Sequence, residues 1–208
     1  SITMESNSTL IIRRARITVE KIFCSEENIN TTFIVEQSSL VSVQEGELNV
    51  VADSISVTGD STITIIKGIS VPPEDATRGG DSFLNLVSKK EDLEILNSEI
   101  TCTAQSGSAG TSRLYGGPGG KARANLQANG ENGVIIRNST IGGLGGNGGD
   151  NLAGSGAGAG GDSDLNIEGK FIDISRSEIE SRGGDAGSSS TTEADGGKSE
   201  FTISSKED

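Results

Sequence analysis

The sequence predicts an all-β fold, a parallel β-solenoid with about three strands per coil. Two observations lead to this prediction. One eight-residue pattern of apolar and small polar residues recurs six times along the 208 residues, and a second, glycine-led pattern recurs four times. Within both patterns the apolar residues lie two positions apart, which is the period of a β-strand, and no copy has the 3.6-residue spacing of an amphipathic helix.

The six copies of the first pattern align as stacked rows. They are LIIRRARI (10–17), FIVEQSSL (33–40), LNVVADSI (48–55), LEILNSEI (93–100), VIIRNSTI (134–141) and IDISRSEI (172–179). The third position of the rows is always apolar, with Ile12, Val35, Val50, Ile95, Ile136 and Ile174. The eighth position is apolar as well, with Ile17, Leu40, Ile55, Ile100, Ile141 and Ile179. We predict that each set forms a vertical column in the core.

A tight corner is predicted between the two apolar columns of each row. The sixth position is small or polar, as in Ser98, Ser139 and Ser177. A serine hydroxyl at a bend can hydrogen-bond to neighbouring backbone groups. Each row is therefore interpreted as strand, corner, strand.

The second pattern supplies the third strand of each coil. Its copies are GGDSFLNL (79–86), GGKARANL (119–126), GGDSDLNI (160–167) and GGKSEFTI (196–203). Successive coils of a solenoid lie about 4.8 Å apart. We predict a single solenoid over residues 1–208, with less regular coils in 1–78, and with three long coils and the start of a fourth in 79–208.

The alternating β-branched residues and the NSEI and NSTI corners resemble right-handed parallel β-helices of the pectate-lyase-like superfamily. The resemblance covers residues 10–203 loosely and 79–203 well. It implies a right-handed coil. Because polysaccharide lyases and hydrolases share this architecture, it also implies a carbohydrate-active enzyme as an alternative function.

Three glycine-rich insertions interrupt the long coils, at about 105–118, 142–159 and 182–195. All three leave after the same strand and return before the same strand, so we expect them to emerge on one side. Two interpretations remain open. The insertions are either mobile loops or extended rods of polyproline II type, which need outside partners for their backbone groups.

Composition excludes several classes of function. The chain has no His, so a Ser-His-Asp triad, a Cys-His pair and a His-ligated metal site are excluded. Seventeen basic side chains against thirty acidic ones give a formal charge of −13, which disfavours nucleic acid as a partner. No stretch is apolar enough for a transmembrane segment.

Four aspartates are the candidates for metal or acid-base chemistry. The segment GGNGGDNLA (145–153) fits the nonapeptide of calcium-binding β-rolls, with Asp150 as the ligand. The next nine residues lack the acid that a second turn would supply, so we predict no cofactor and retain calcium at Asp150 as the exception. Asp81, Asp162 and Asp185 follow paired glycines and could join Asp150 in a carboxylate cluster.

The aromatic and cysteine residues are predicted to be structural. Phe33, Phe83, Phe171 and Phe201 fall at strand positions and are assigned to the core, whereas Tyr115 is expected to be exposed. For Cys24 and Cys102, separated by several coils, an intrachain disulfide is not expected. Buried free thiols and an intermolecular bridge remain the two alternatives.

These features favour a non-enzymatic extracellular or cell-surface protein with a structural or adhesive role. We predict self-association through the solenoid ends and the glycine-rich insertions, as a filament, sheath or surface-layer subunit. Surface glycans or proteins are the other expected partners. The basic cluster of Arg13, Arg14 and Arg16 is either a solvated face or a contact for acidic residues of a neighbouring subunit.

Overall fold

A computed structural model describes residues 1–67, 78–110, 115–151, 156–190 and 192–205. These residues form seventeen β-strands. The strands are β1 (Ile2–Met4), β2 (Thr9–Arg13), β3 (Arg16–Cys24), β4 (Thr32–Glu36), β5 (Leu40–Ala52), β6 (Ser54–Thr58), β7 (Thr62–Ile66), β8 (Ser82–Ser88), β9 (Leu93–Leu96), β10 (Glu99–Thr103), β11 (Ala122–Ala128), β12 (Val134–Arg137), β13 (Thr140–Leu144), β14 (Ser163–Gly169), β15 (Ile172–Ser175), β16 (Glu178–Arg182) and β17 (Ser199–Ser205).

The strands form two parallel sheets. The smaller sheet has six strands in the order β15-β12-β9-β6-β4-β2. The larger has eleven, nine of them in the path β16-β13-β10-β7-β5-β8-β11-β14-β17, with β3 paired to β5 and β1 paired to β3. Strands pair with partners further along the chain rather than with the next strand in sequence. The prediction of an all-β, parallel, solenoid-like arrangement is therefore confirmed.

The predicted right-handed parallel β-helix with about three strands per coil is wrong. β5 is one strand of 13 residues. Its first part pairs with β7 and its last part with β8, so strands that we assigned to separate faces belong to one sheet. The end strands of the path, β16 and β17, contact each other, and the larger sheet nearly closes on itself. The alternation of β5 is interrupted at Gln44, Glu45 and Gly46, between the part that pairs with β7 and the part that pairs with β8.

The core column of the smaller sheet contains five of the six residues predicted for it. Register aligns Ile12, Val35, Val57, Ile95, Ile136 and Ile174. Val57 takes the place that we assigned to Val50. Val50 lies instead in β5 of the larger sheet, between Cys24 and Leu86. The phrase at 48–55 has the apolar spacing of a row, but its first five residues end β5 of the larger sheet and its last two begin β6 of the smaller sheet.

The second predicted column differs at two positions. The larger sheet aligns Ile17, Val41, Ile63, Ile100, Ile141 and Ile179. Val41 and Ile63 stand where we predicted Leu40 and Ile55. Corners with one left-handed residue, such as Asn97 (φ 49°), keep the eight-residue spacing. Corners with two, such as Gln37 and Ser38 (φ 58° and 59°), insert one more residue and shift the column by one.

Serine hydroxyls hydrogen-bond to backbone groups at the corners, as predicted, and they also connect the corners of successive rows, which was not predicted. The Ser98 N–H donates to Ser139 Oγ at 3.1 Å, and the Ser139 N–H donates to Ser177 Oγ at 3.1 Å. The Ser139 hydroxyl in turn donates to the carbonyl of Ile95 or Arg137. Ser39 and Ser61 repeat this contact in earlier rows. Each hydroxyl thus satisfies a corner amide that the sheets leave without a strand partner.

The aromatic side chains only partly follow the prediction. Phe33 is fully buried, whereas Phe83, Phe171 and Phe201 are 38%, 60% and 46% exposed. Phe83 alternates outward from the buried Leu84 on β8. Phe201 occupies a core column, but its strand β17 pairs on one side only among the described residues, and that exposes its ring.

Candidate functional site: the glycine bundle

The glycine-rich segments lie together beside the larger sheet. Three outgoing segments (104–110, 145–151 and 183–190) follow β10, β13 and β16. Return segments (78–81, 115–121, 156–162 and 192–198) precede β8, β11, β14 and β17. We call these segments the glycine bundle. Compared with the predicted insertions, residues 142–144 belong to β13 and Arg182 to β16, while 111–114, 152–155 and 191 lie outside the described residues.

Hydrogen bonds in the glycine bundle run between segments at intervals of three residues. The N–H groups of Gly146 and Gly149 donate to the carbonyls of Gly120 and Gly117, at 2.9 and 2.8 Å. The N–H groups of Gly158 and Gly161 donate back to the carbonyls of Gly149 and Gly146, at 2.9 and 2.8 Å. Three residues per turn without internal hydrogen bonds is the geometry of polyproline II. The glycine-rich segments are therefore extended rods of polyproline II type and not mobile loops.

Glycine is required at the contacts between rods. A Cβ on Gly119 would lie 1.8 Å from the Gly146 carbonyl oxygen, and one on Gly158 would lie 2.0 Å from that of Gly117. Both neighbours are backbone atoms, which cannot move aside without separating the rods. Gly196 is different, because the nearest atom to its Cβ would be 3.7 Å away. In the three-residue repeat of a rod, one position faces away from the neighbouring rods. Pro118 is exposed at such a position, where the backbone N–H that proline lacks is not needed for a contact between rods.

Asp150, the candidate calcium ligand, holds two rods in register. Its Oδ1 accepts the N–H of Ser188 at 2.7 Å, and Asn147 Oδ1 accepts the N–H of Asp185 at 2.9 Å one triplet earlier. This role explains the spacing of Asn147 and Asp150 without a metal. Among the described ranges, no group of three or more Cys, Asp or Glu side chains could hold a metal ion.

The predicted carboxylate cluster is divided between two rows. Asp81 and Asp162 lie in a row of alternating charge with Lys121 and Lys198. Asp81 Oδ1 accepts the Lys121 N–H at 2.7 Å, Asp162 Oδ1 accepts the Lys198 N–H at 3.0 Å, and Lys121 Nζ lies 2.5 Å from Asp162 Oδ2. The hydrogen bonds from the Lys121 side chain and the Lys198 backbone hold the pKa of Asp162 below its ordinary value. Asp185 lies apart from these residues, on the rod that pairs with Asn147 and Asp150.

Two clefts are candidates for a substrate-binding site under the carbohydrate-active alternative. One, of about 300 Å³, lies where the bundle meets the larger sheet and is lined by Thr103, Leu144 and Arg182 together with bundle glycines. The other, of about 400 Å³, is lined by Glu91, Asp92 and Glu94. Asp92 already accepts backbone N–H groups of residues 132 and 133. Tyr115, 63% exposed, lines neither cleft and lies beside the site of Gly156 in the bundle.

Asp53 is the most buried of the ion-paired carboxylates in the described ranges, with its side chain 12% exposed. Burial raises its pKa, but hydrogen bonds from Lys90, the Asn30 backbone and Lys89 outweigh burial, so the pKa lies below its ordinary value. Lys90 Nζ is 2.8 Å from Asp53 Oδ2. Asp53 is the sixth residue of the phrase at 48–55, and the sequence analysis did not predict these partners because they lie 23 to 37 residues away.

Both cysteines are buried free thiols, so of the two alternatives the intermolecular bridge does not fit their placement. Cys24 lies on β3 beside Val50, and Cys102 lies on β10 between Ile65 and Gly143. Burial raises the pKa of the Cys102 thiol to about 12. At neutral pH this thiol is protonated and a poor nucleophile.

A ladder of hydrogen-bonded asparagine side chains lies on the outer surface of the larger sheet, and the sequence analysis did not predict it. Each Nδ2 donates to the Oδ1 of the previous strand: Asn85 to Asn49 at 2.7 Å, Asn125 to Asn85 at 2.8 Å and Asn166 to Asn125 at 2.9 Å. The available signal was the Asn shared by the phrases FLNL, RANL and DLNI. A groove of about 480 Å³ with Val51 and Val87 in its lining runs beside the ladder.

Comparisons of this chain with family models, with curated proteins and with solved structures found no match. The resemblance to the pectate-lyase-like superfamily therefore has no support from a family match. Within the part of the chain that the structure describes, no helix has the length and apolar character needed to cross a membrane.

Proposed function

We propose that this chain is a non-enzymatic structural or adhesive protein of an extracellular or cell-surface setting, which self-associates as a subunit of a filament, sheath or surface layer. The glycine bundle is the observation that carries this proposal. Its segments use their own backbone groups to bind one another, so a long glycine-rich region forms a rigid rod array.

The use of the bundle amides favours a structural role over ligand capture. Glycine-rich loops that bind phosphate or other anions direct unpaired backbone N–H groups at the ligand. Here the N–H groups of Gly146, Gly149, Gly158 and Gly161 all donate to neighbouring rods. The side chains of Asp150 and Asp162 are likewise committed to holding rods in register. The outer surface of the bundle, with the exposed Tyr115, is then the surface available to glycans or proteins of a cell surface.

Self-association is tested by sedimentation velocity and electron microscopy over a hundredfold range of protein concentration. We expect the sedimentation coefficient to rise with concentration and ordered particles larger than the single chain to form. A monodisperse monomer over the whole range would contradict the proposal. Assaying the same preparation for release of reducing or unsaturated ends from acidic and neutral polysaccharides, with and without calcium, tests the carbohydrate-active alternative. Turnover there would replace our proposal with the enzyme.

A further inference from the structure

We propose that the groove beside the asparagine ladder binds a neutral glycan through the hydroxyl groups of its sugars. The proposal rests on the adhesive role proposed above and gives it a site, and it does not depend on self-association. The groove has a volume of about 480 Å³, within the range of about 300–1,000 Å³ that is typical of ligand sites. Two valines and two charged residues line it together with four carboxamides, those of Asn85, Asn125, Gln127 and Asn129.

The groove runs across the strands of the larger sheet. Val51, Val87 and Gln127 are register partners on β5, β8 and β11. Asn85 and Asn125 form the adjacent register row, two residues earlier on β8 and β11. Because valine is shorter than the carboxamide side chains beside it, the valine row forms the floor. Neighbouring strands lie about 4.8 Å apart, so an extended chain of sugar rings along this floor meets a new set of side chains at each strand.

The ladder leaves hydrogen-bonding capacity at the groove. A carboxamide has two N–H donors and two acceptor lone pairs. Asn125 uses one N–H to donate to Asn85 and one lone pair to accept the N–H of Asn166, which leaves it one donor and one acceptor in a fixed orientation. Among the described residues, the side chains of Gln127 and Asn129 make no hydrogen bond. A hydroxyl group also donates and accepts, so sugar hydroxyls match these carboxamides.

Charge in the groove favours a neutral glycan. Lys89 is already committed, because its Nζ donates to the Asn28 carbonyl and lies 3.3 Å from Asp53 Oδ1. Glu26, the other charged residue of the lining, is exposed and repels acidic sugars. The formal charge of −13 on the chain acts in the same direction. A neutral glycan needs no ion pair, and the apolar faces of its rings can pack on the valines.

Cleavage of the bound glycan is not expected. Hydrolysis of a glycosidic bond by the usual mechanism needs two carboxyl groups that flank the bond. Of the described residues that line the groove, only Glu26 carries a carboxylate. The site therefore holds a glycan without turnover, as an adhesive protein requires.

Isothermal titration calorimetry tests the site with neutral hexasaccharides of glucose, mannose and N-acetylglucosamine, and with the hexasaccharide of galacturonic acid as the acidic counterpart. Asn125→Leu keeps the size of the side chain but removes its donor and its acceptor. Loss of one hydrogen bond weakens binding by about twofold to tenfold, and we expect at least this loss for a neutral hexasaccharide. Asn166→Leu is the matched control and should bind like wild type. It removes a carboxamide from the same ladder, but Asn166 is not among the described residues that line the groove.

Gln127→Leu repeats the test without touching the ladder and should weaken binding in the same way. Circular dichroism of each variant verifies that the fold is unchanged. If wild type binds a neutral hexasaccharide and both groove variants bind it as tightly as Asn166→Leu does, the site is wrong although the adhesive role stands. If wild type binds no neutral hexasaccharide, or only the acidic one, the proposal fails, and sedimentation velocity then decides separately whether the proposed self-association stands.

Discussion

Replacing Gly119 by alanine is the most direct test of how the glycine bundle is held together. Gly119 is buried, and its N–H donates to the Ala159 carbonyl at 2.8 Å. A Cβ there would lie 1.8 Å from the Gly146 oxygen, 2.5 Å from the Gly146 carbonyl carbon and 2.8 Å from the Gly161 nitrogen. All three atoms belong to backbone. The methyl group can be accommodated only if the rods move apart.

The expected cost follows from that separation. Forcing extra volume into a packed region costs about 1–3 kcal/mol. Separating the rods also weakens at least one backbone hydrogen bond, worth about 0.5–1.5 kcal/mol net. We therefore expect a loss of about 1.5–4.5 kcal/mol in the free energy of unfolding. For a chain of this size, each kcal/mol lowers the melting temperature by about 2–4 °C, so the transition should fall by roughly 3–18 °C.

Gly196→Ala is the matched control. Its Cβ would meet no atom nearer than 3.7 Å, and Gly196 is not among the glycines with positive φ. Both substitutions reduce the entropy of the unfolded chain equally, so the difference between them isolates the steric conflict. Differential scanning calorimetry gives the transition, and hydrogen exchange of the Gly146 and Gly161 amides gives local opening. Equal melting temperatures and equal exchange for the two variants would refute the rod packing.

Three further predictions concern the sheets. Protonation of Asp53 should destabilise the chain: because its pKa is lower in the folded than in the unfolded state, its contribution is complete above about pH 4 and is lost as the pH falls through the folded value. Denaturant unfolding between pH 2 and 6 should show a smaller pH dependence for Asp53→Asn, and an unchanged slope would count against the Lys90 contact. Cys102 should react with a thiol reagent in native protein far more slowly than in denatured protein, and equal rates would contradict its burial. Ser139→Ala should cost about 1–3 kcal/mol, because it leaves the buried Ser98 N–H unpaired, whereas Ser139→Thr keeps the hydroxyl and should cost less.

Sequence reasoning succeeded where the repeat is regular. Residues 93–100, 134–141 and 172–179 each have one left-handed corner residue, and their apolar positions lie in register as the rows suggested. It failed in the first third of the chain, where a corner such as Gly59 and Asp60 contains two left-handed residues. Spacing in a single sequence does not distinguish one from two such residues, so Leu40 was assigned to a column that holds Val41. Ile55 was assigned wrongly for a different reason: the phrase at 48–55 is not a row, and Ile55 pairs with Phe33 in the smaller sheet.

The candidate site could be anticipated in position but not in geometry. The glycine-rich insertions were placed on one side because they share flanking strands. Rods and mobile loops have the same composition, however, and only the partners of each amide decide between them. Asp150 illustrates the limit. Its spacing fits a calcium nonapeptide, yet the same spacing of three residues from Asn147 is what a polyproline II rod needs to direct both side chains at the next rod.

The sheets and the glycine bundle constrain each other. A polyproline II rod has no internal hydrogen bonds, so an isolated glycine segment would remain a flexible coil. Parallel pairing of β10 with β13 and of β13 with β16 sets the outgoing segments side by side in fixed register, and the matching pairs β8-β11-β14-β17 do so for the return segments. In return, the rods tie the two arms of the larger sheet together on the side where β16 and β17 are joined by serine side chains and, among the described residues, by no strand pairing. A substitution that separates the rods should therefore weaken protection of amides in β16 and β17, which lie outside the bundle.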